Sequence, residues 1–359
     1  MMNSCSNPRS PVPASLGYQM PPEWYPHEST WLAWPKNSRT WPHHQILQVQ
    51  EVYLYLIELL SPHERVNLLI DDDETEMHIR ERLGATDVSS DQIVFYQIKT
   101  ADSWIRDYGP NFLIRKVESK IEQAFNHWQF NAWGNKYEDL KNDAHIPRHL
   151  ETILAMPCFN PPVVLEGGAI EVNGKGVGIS TSCCLLNQNR NPSHSKSEMV
   201  QYLKDYLGLR KILWLHRGLV GDDTDGHVDN LARFVNSQTI VCSLEEDPTD
   251  DNYEALLENY QYLQTFRDEQ ENPFQIIPLP MPAPIEGAQR RLPASYLNFY
   301  IANQLVLLPT FDDKQDAWVT DTLQRLFPNR QVVGVDSRNL VWGHGALHCL
   351  TLQQPTSIA

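Results

Sequence analysis

The second half of the chain repeats one order of hydrophobic and polar positions. Residues 169–180, AIEVNGKGVGIS, alternate as two short strands around Asn173-Gly174. That dipeptide suits a type I′ hairpin turn, because both residues tolerate positive φ. A polar loop then leads to a helix near 195–207, where Met199, Tyr202, Leu203 and Tyr206 recur at helical spacing, and to a β-rich run at 211–216. The same order returns at 230–244 around Asn236-Ser237. It continues with a helix at 250–267, carrying Tyr253, Leu256, Leu257, Tyr260 and Leu263 on one face, and a strand at 275–279. It returns once more at 296–310 around Asn303-Gln304, with a helix at 313–327 (Trp318, Val319, Leu323, Leu326) and a strand at 331–335. Turns at 173, 236 and 303 set a period of roughly 65 residues.

The first half is looser but compatible. A helix at 44–60 precedes an apolar run at 66–70, and a helix at 74–84 precedes another at 93–98. Five helix–strand pairs suggest five units packed as one α/β domain over residues 20–357. Repeats that bury their faces only against neighbours form arrays or closed rings. The alternative is an ordinary α/β sheet with the same alternation. No Ser/Gly linker divides the chain, and the Pro-rich 281–287 stretch reads as a loop between units. Residues 1–19, polar and proline-containing, read as a disordered segment.

Composition narrows the function classes. The net charge of −16 makes nucleic acid and anionic membrane surfaces poor partners and would attract a small cation. There is no apolar h-region near the start and no run of about 18 apolar residues. The six cysteines form no C-x-x-C pair, so the expectation is a reduced, cytoplasmic protein without a disulfide framework or a zinc site.

Candidate chemistry gathers at four places. In DSWIRDYGP, Arg106 and Asp107 would point to opposite sides of an extended backbone, leaving one of them to face a cleft. In LEGGAIEV, Glu166 stands beside two glycines that let the backbone approach a ligand. In GDDTDGHVDN, four aspartates surround His227. His227 and Asp229, two apart, would share a face of an extended segment, and a neighbouring carboxylate keeps an imidazole protonated for general acid work. A calcium loop is the competing reading, but its D-x-D-x-D-G-x5-E ladder is absent. In GHGALHCLT, Cys349 sits in a glycine-containing turn as a candidate nucleophile, or as a buried, inert thiol. One thiol, one acid-flanked histidine and spare carboxylates fit a planar cation such as guanidinium, which carboxylates bind through paired N–H···O bonds.

These motifs resemble agmatine deiminase, in the guanidine-modifying (pentein) superfamily. The resemblance runs through MPPEWYPHESTWLAWP (20–35), DSWIRDYGPNF, FNAWGNKY, LEGGAIEVNGKG, LLNQNRNP, DDTDGHVDNLARFV, PASYLNFYIAN and the terminal LHCLTLQQP. It implies a five-bladed α/β propeller of ββαβ units around a central channel. It implies hydrolysis of agmatine to N-carbamoylputrescine and ammonia without metal or organic cofactor, and a homodimer as the assembly to look for. By motif, Cys349 is the nucleophile that forms an amidino-cysteine intermediate, and His227 the general acid and base. Asp107 and Asp229 grip the guanidinium, Glu166 supports that grip and orients His227, Trp104 is an aromatic wall, and Asp223 contacts substrate. The chain departs from the family's G-G-G-N-I-H-C at His344 and Ala346. Action on arginine or peptidyl arginine, which would want a cation near the channel mouth, and an inactive polyamine-binding protein remain as alternatives.

Overall fold

The repeat read between 169 and 335 resolves into three sheets of one topology. The computed structural model describes residues 11–84, 89–288 and 290–357. In chain order the strands are β1 (His27–Ala33), β2 (Arg65–Ile70), β3 (Ile93–Gln97), β4 (Asn111–Val117), β5 (Lys120–Asn126), β6 (Cys158–Phe159), β7 (Ile170–Val172) and β8 (Val177–Thr181). They continue as β9 (Lys211–Leu215), β10 (Ala232–Asn236), β11 (Thr239–Leu244), β12 (Gln275–Pro280), β13 (Tyr300–Ile301), β14 (Leu305–Thr310), β15 (Gln331–Asp336) and β16 (Leu352–Pro355). They form five sheets, ordered β16-β1-β2-β3, β4-β5-β6, β7-β8-β9, β10-β11-β12 and β13-β14-β15.

Each sheet opens with an antiparallel pair and adds a parallel strand, as in Ile170↔Ser180 followed by Ile179↔Leu213. A helix makes each parallel crossover, as such a connection requires. Lys196–Leu207 is fixed at one end by a capping box between Ser195 and Glu198 and at the other by Gly208 in the left-handed region, φ +68°. Its buried Met199, Leu203 and Leu207 face the sheet side. The central strands β8, β11 and β14 are buried along almost their whole length, and the polar residues they carry, such as Ser180 and Ser243, are buried with the rest. Under β11, Phe234, Ile240, Leu256 and Leu263 share one fully buried cluster.

Several expectations change. The two helix–strand pairs of the first half belong to a single sheet, through His43–Leu60 with β2 and Asp73–Leu83 with β3. The unit between them and β7, namely β4-β5-β6, escaped the pattern: its helix Ile146–Leu154 is short and its last strand has only two residues. The hairpin at Asn173 is no type I′ turn, since only Gly174 and Gly176 take positive φ there. Asn173 Oδ1 instead accepts from the Lys175 and Val177 amides. Disorder over 1–19 does not hold for its described part, because Pro13–Leu16 forms a 3-10 turn, Tyr18 is buried and Gln19 bridges to Ile114; residues 1–10 lie outside the described residues. No helix among the described residues is long and apolar enough to cross a membrane.

The first sheet joins distant parts of the chain. β16 pairs antiparallel with β1, and buried Trp31 donates its indole N–H to Gln354 at 2.9 Å. Replacing Gln354 by Ala strands that donor, and Ser29 Oγ with it. We expect a loss of about 1–3 kcal/mol, read as a lower urea midpoint at unchanged m-value.

Candidate active site

Five short leading turns meet at one place. Asp107, Glu166, Asp229, Asn298 and Cys349 each lie two to four residues before the first strand of their sheet, ahead of β4, β7, β10, β13 and β16. All five are buried. The topology that repeats along the sequence therefore delivers one functional side chain per unit to a common centre.

Asp107 is set by the short turn Ile105–Tyr108. Its Oδ1 accepts the Gly168 amide at 2.9 Å and its Oδ2 the Trp133 indole at 2.9 Å. Arg106, on the same turn, is directed away to the His348 carbonyl and Gln353. The two side chains do diverge, but from a helical turn and not from an extended segment. Burial, with Asp229 and Glu166 nearby, raises the Asp107 carboxyl against the pull of His227.

His227 precedes the turn Val228–Asn230, so the extended geometry expected for it and Asp229 is absent. The ring reaches the centre because its own backbone amide is tied to Asp222 Oδ2 at 3.1 Å and Thr224 Oγ1 at 3.0 Å. Nδ1 lies 3.8 Å from Asp107 Oδ1, and neither ring nitrogen has a hydrogen-bond partner. Burial works to lower its pKa, but Asp107, Asp229, Glu166 and Asp222 outweigh it and hold the imidazole above its ordinary range.

Glu166 does not orient His227 through a hydrogen bond. Its Oε1 accepts Arg190 Nε at 2.6 Å, while Oε2 is unpartnered and fully buried. A carboxylate oxygen of Glu166, the Cys184 sulfur and a His227 nitrogen lie within 4.8 Å of one another. Of the four aspartates around His227, Asp225 turns to Arg190 and Lys136, and Asp223 turns to the cavity.

Cys349 sits in the turn Leu347–Leu350. Its sulfur lies 3.7 Å from Asp229 Oδ2 and accepts from Asn298 Nδ2 at 3.2 Å. Asn298 Oδ1 in turn accepts the His348 and Cys349 amides at 3.0 and 3.3 Å. Asp229 Oδ2 also bonds His348 Nδ1 at 2.8 Å, whose Nε2 meets Glu23 Oε2 at 2.7 Å. Burial would raise Asp229, but His348, His227 and Arg233 hold it below the usual carboxylate range. Its Oδ1 is buried and unpartnered. Burial, and then Asp229 and Asp107, push the Cys349 thiol well up, so it is protonated in the free protein at neutral pH.

A cavity of about 390 Å³ opens onto this centre. Cys349, Asp107, Trp104 and Asp223 line it directly, while His227, Glu166 and Asp229 lie behind that wall. Trp104 stacks at a tilt on Trp41, with centroids 5.2 Å apart, and packs where a Cβ on Gly343 or Gly345 would collide with it. All seven residues singled out by motif are thus brought to one region. Asn298, His348, Glu23 and Arg233 were missed as functional, although Asn298 and Glu23 stand inside the quoted PASYLNFYIAN and MPPEWYP runs.

Two measurements follow. Ultraviolet titration of the free protein against a Cys349→Ser control is expected to show no Cys349 thiolate at neutral pH, and a large signal there would contradict the geometry. A Cβ at Gly168 would lie 2.6 Å from His227 Nδ1, 2.9 Å from Asp229 and 3.0 Å from Asp107. Gly168→Ala should therefore lower kcat/KM by about 100-fold, through displacement of the site and not loss of a group, with circular dichroism unchanged.

Known proteins resemble this chain along nearly its whole length. Agmatine deiminase of Medicago truncatula is 37% identical, covering 96% of this chain and 98% of its own length. The solved agmatine deiminase of Enterococcus faecalis superposes with a TM-score of 0.89 at 29% identity, covering 98% of this chain and 99% of that one. A cysteine-to-serine variant of the C. jejuni agmatine deiminase with substrate bound gives 0.84 at 29% identity, over 95% and 97%. Residues 19–355 match the Porphyromonas-type peptidyl-arginine deiminase family, and the chain belongs to it.

Proposed function

We propose that the protein hydrolyses agmatine to N-carbamoylputrescine and ammonia, a step toward putrescine and the polyamines. The observation that carries this reading is the set of unpartnered, fully buried atoms beside the Cys349 sulfur: Glu166 Oε2, Asp229 Oδ1 and both ring nitrogens of His227. Buried polar atoms without partners cost free energy. A guanidinium, with five N–H donors in one plane, satisfies the carboxylate oxygens at once. We read the five sheets as the blades of a propeller around a central channel, acting as one catalytic domain over 20–357 in the cytoplasm.

In the mechanism we assign, Asp107 and Asp229 hold the guanidinium nitrogens and Glu166 Oε2 backs them. That fixes the central carbon near Cys349 Sγ and replaces collision by orientation. The bound cation offsets the carboxylates that keep the thiol protonated, and Cys349 gives its proton to water as the substrate seats. The thiolate adds to the carbon. His227, already protonated, donates to an unsubstituted nitrogen, which leaves as ammonia, and a C–S bond remains. His227 then takes a proton from water. The hydroxide adds to the same carbon, the C–S bond breaks, and a urea group is left on the product.

The competing substrate, arginine, has a specific test in the structure, since its carboxylate would want a free cation at the mouth. Among the described residues that line the cavity the one arginine, Arg39, is already paired, with Asp139 at 2.7 Å. This favours agmatine. Ammonia release from agmatine, arginine and a short arginine peptide, measured side by side, is expected to be high for agmatine and low for the other two. Cys349→Ser and Cys349→Ala should lose turnover entirely while still binding agmatine by calorimetry. Ammonia release in either variant would eliminate the covalent route.

A further inference from the structure

The acid at the cavity mouth is already occupied by a cation of the protein itself. Asp223 lines the same cavity as Cys349, and its Oδ2 receives both the Tyr137 hydroxyl and the Arg290 guanidinium. Arg290 Nη2 also donates to His344 Nε2 at 3.3 Å, and His344 Nε2 lies 3.9 Å from Asp223 Oδ2. Burial, aided by Arg290 and opposed by Asp223, lowers the His344 imidazole, which leaves a neutral ring able to accept from Arg290. His344 holds φ +67°, a region that favours glycine, and it stands where the chain departs from the resembled glycine. What the side chain does at that strained position is brace Arg290 over Asp223. The exposures of the pair are unequal: the Asp223 side chain is 13% exposed, the Arg290 side chain 45%. The acid is fixed in the wall, and the base has water to move into.

We propose that Arg290 is a specificity-determining residue: its guanidinium stands in for the cationic tail of the substrate on Asp223, braced by His344, and the distal ammonium of the substrate binds by displacing it. This rests on the reading of the site as one for agmatine. Exchange of one cation for another keeps Asp223 paired, so a substrate with an ammonium tail enters at little electrostatic cost. A guanidine with an uncharged tail has nothing to offer Asp223 and leaves Arg290 in place across the mouth. The cavity floor reads the guanidinium, and Arg290 makes the second charge a condition of tight binding.

The test is calorimetric binding on a Cys349→Ser background, with kcat measured separately in the active enzyme. Arg290→Ala is expected to tighten agmatine by about two- to five-fold, the range of a partly exposed ion pair. His344→Gly should tighten it in the same direction but less. Butylguanidine, which lacks the ammonium, is the control. Its affinity should stay constant across the three proteins, and an equal gain for it would mean a general field effect and overturn the proposal. In an Asp223→Asn background Arg290→Ala should have no further effect, whereas additive changes would show that the two residues are uncoupled. Weaker agmatine binding in Arg290→Ala would assign Arg290 a supporting role and also overturn it. If the native enzyme released no ammonia from agmatine, the functional reading would fail, while the binding series would still decide the role of Arg290.

Discussion

The structure depends on balancing buried negative charge. Glu23, Asp107, Glu166, Glu171 and Asp229 are withdrawn from water around one centre, and isolated carboxylates there would be prohibitively desolvated. Fully buried Arg233 bridges Glu23 and Glu171, each at 3.0 Å, and also caps the Leu297 and Phe299 carbonyls. Arg190 holds Glu166, and His348 spans Glu23 and Asp229. Breaking one partner out of such a buried set costs about 3–5 kcal/mol, because it leaves an uncompensated charge. These partners do not satisfy every oxygen. Oxygens on Glu166 and Asp229 stay unpaired, and that residual demand is what a cationic ligand meets.

The repeat explains how the charges come together. Each sheet holds its leading turn at one end of an antiparallel pair, and a residue two to four positions before the first strand points inward. Because all five sheets share an antiparallel pair extended by a parallel strand, the residue in the leading turn is free to differ: carboxylate in three sheets, amide in one, thiol in one. Function is thus spread over the sequence while the structural solution is repeated.

This also shows which parts were legible in the sequence. The three later units announced themselves because their strands gather β-branched and other apolar residues around short polar turns and their helices carry clean apolar faces, as with Leu256 and Leu263. The β4-β5-β6 unit did not, because a two-residue strand has no period to read. Site residues beside glycines, such as Glu166 and Cys349, were visible because close backbone approach leaves a compositional mark. Asn298 and Arg233 left none. Their roles come from hydrogen bonds across 51 and 62 positions of chain, and local pattern carries no information at that separation. For His227 and Asp107 the expected local geometry was wrong, yet the two side chains lie 3.8 Å apart in the region of Cys349, since a tight turn and an extended segment can bring a side chain to the same place.

The order in which the units are made has a consequence for the living cell. The sulfur-bearing turn precedes the strand that closes the very first sheet against β1. A nascent chain can therefore assemble four acid- or amide-bearing units while the edge of β1 waits, exposed, for a partner more than 300 residues downstream. During that interval the growing polypeptide carries an unpaired strand and no reactive thiol at its centre. Closure of the first sheet and arrival of the sulfur at the centre are then a single event.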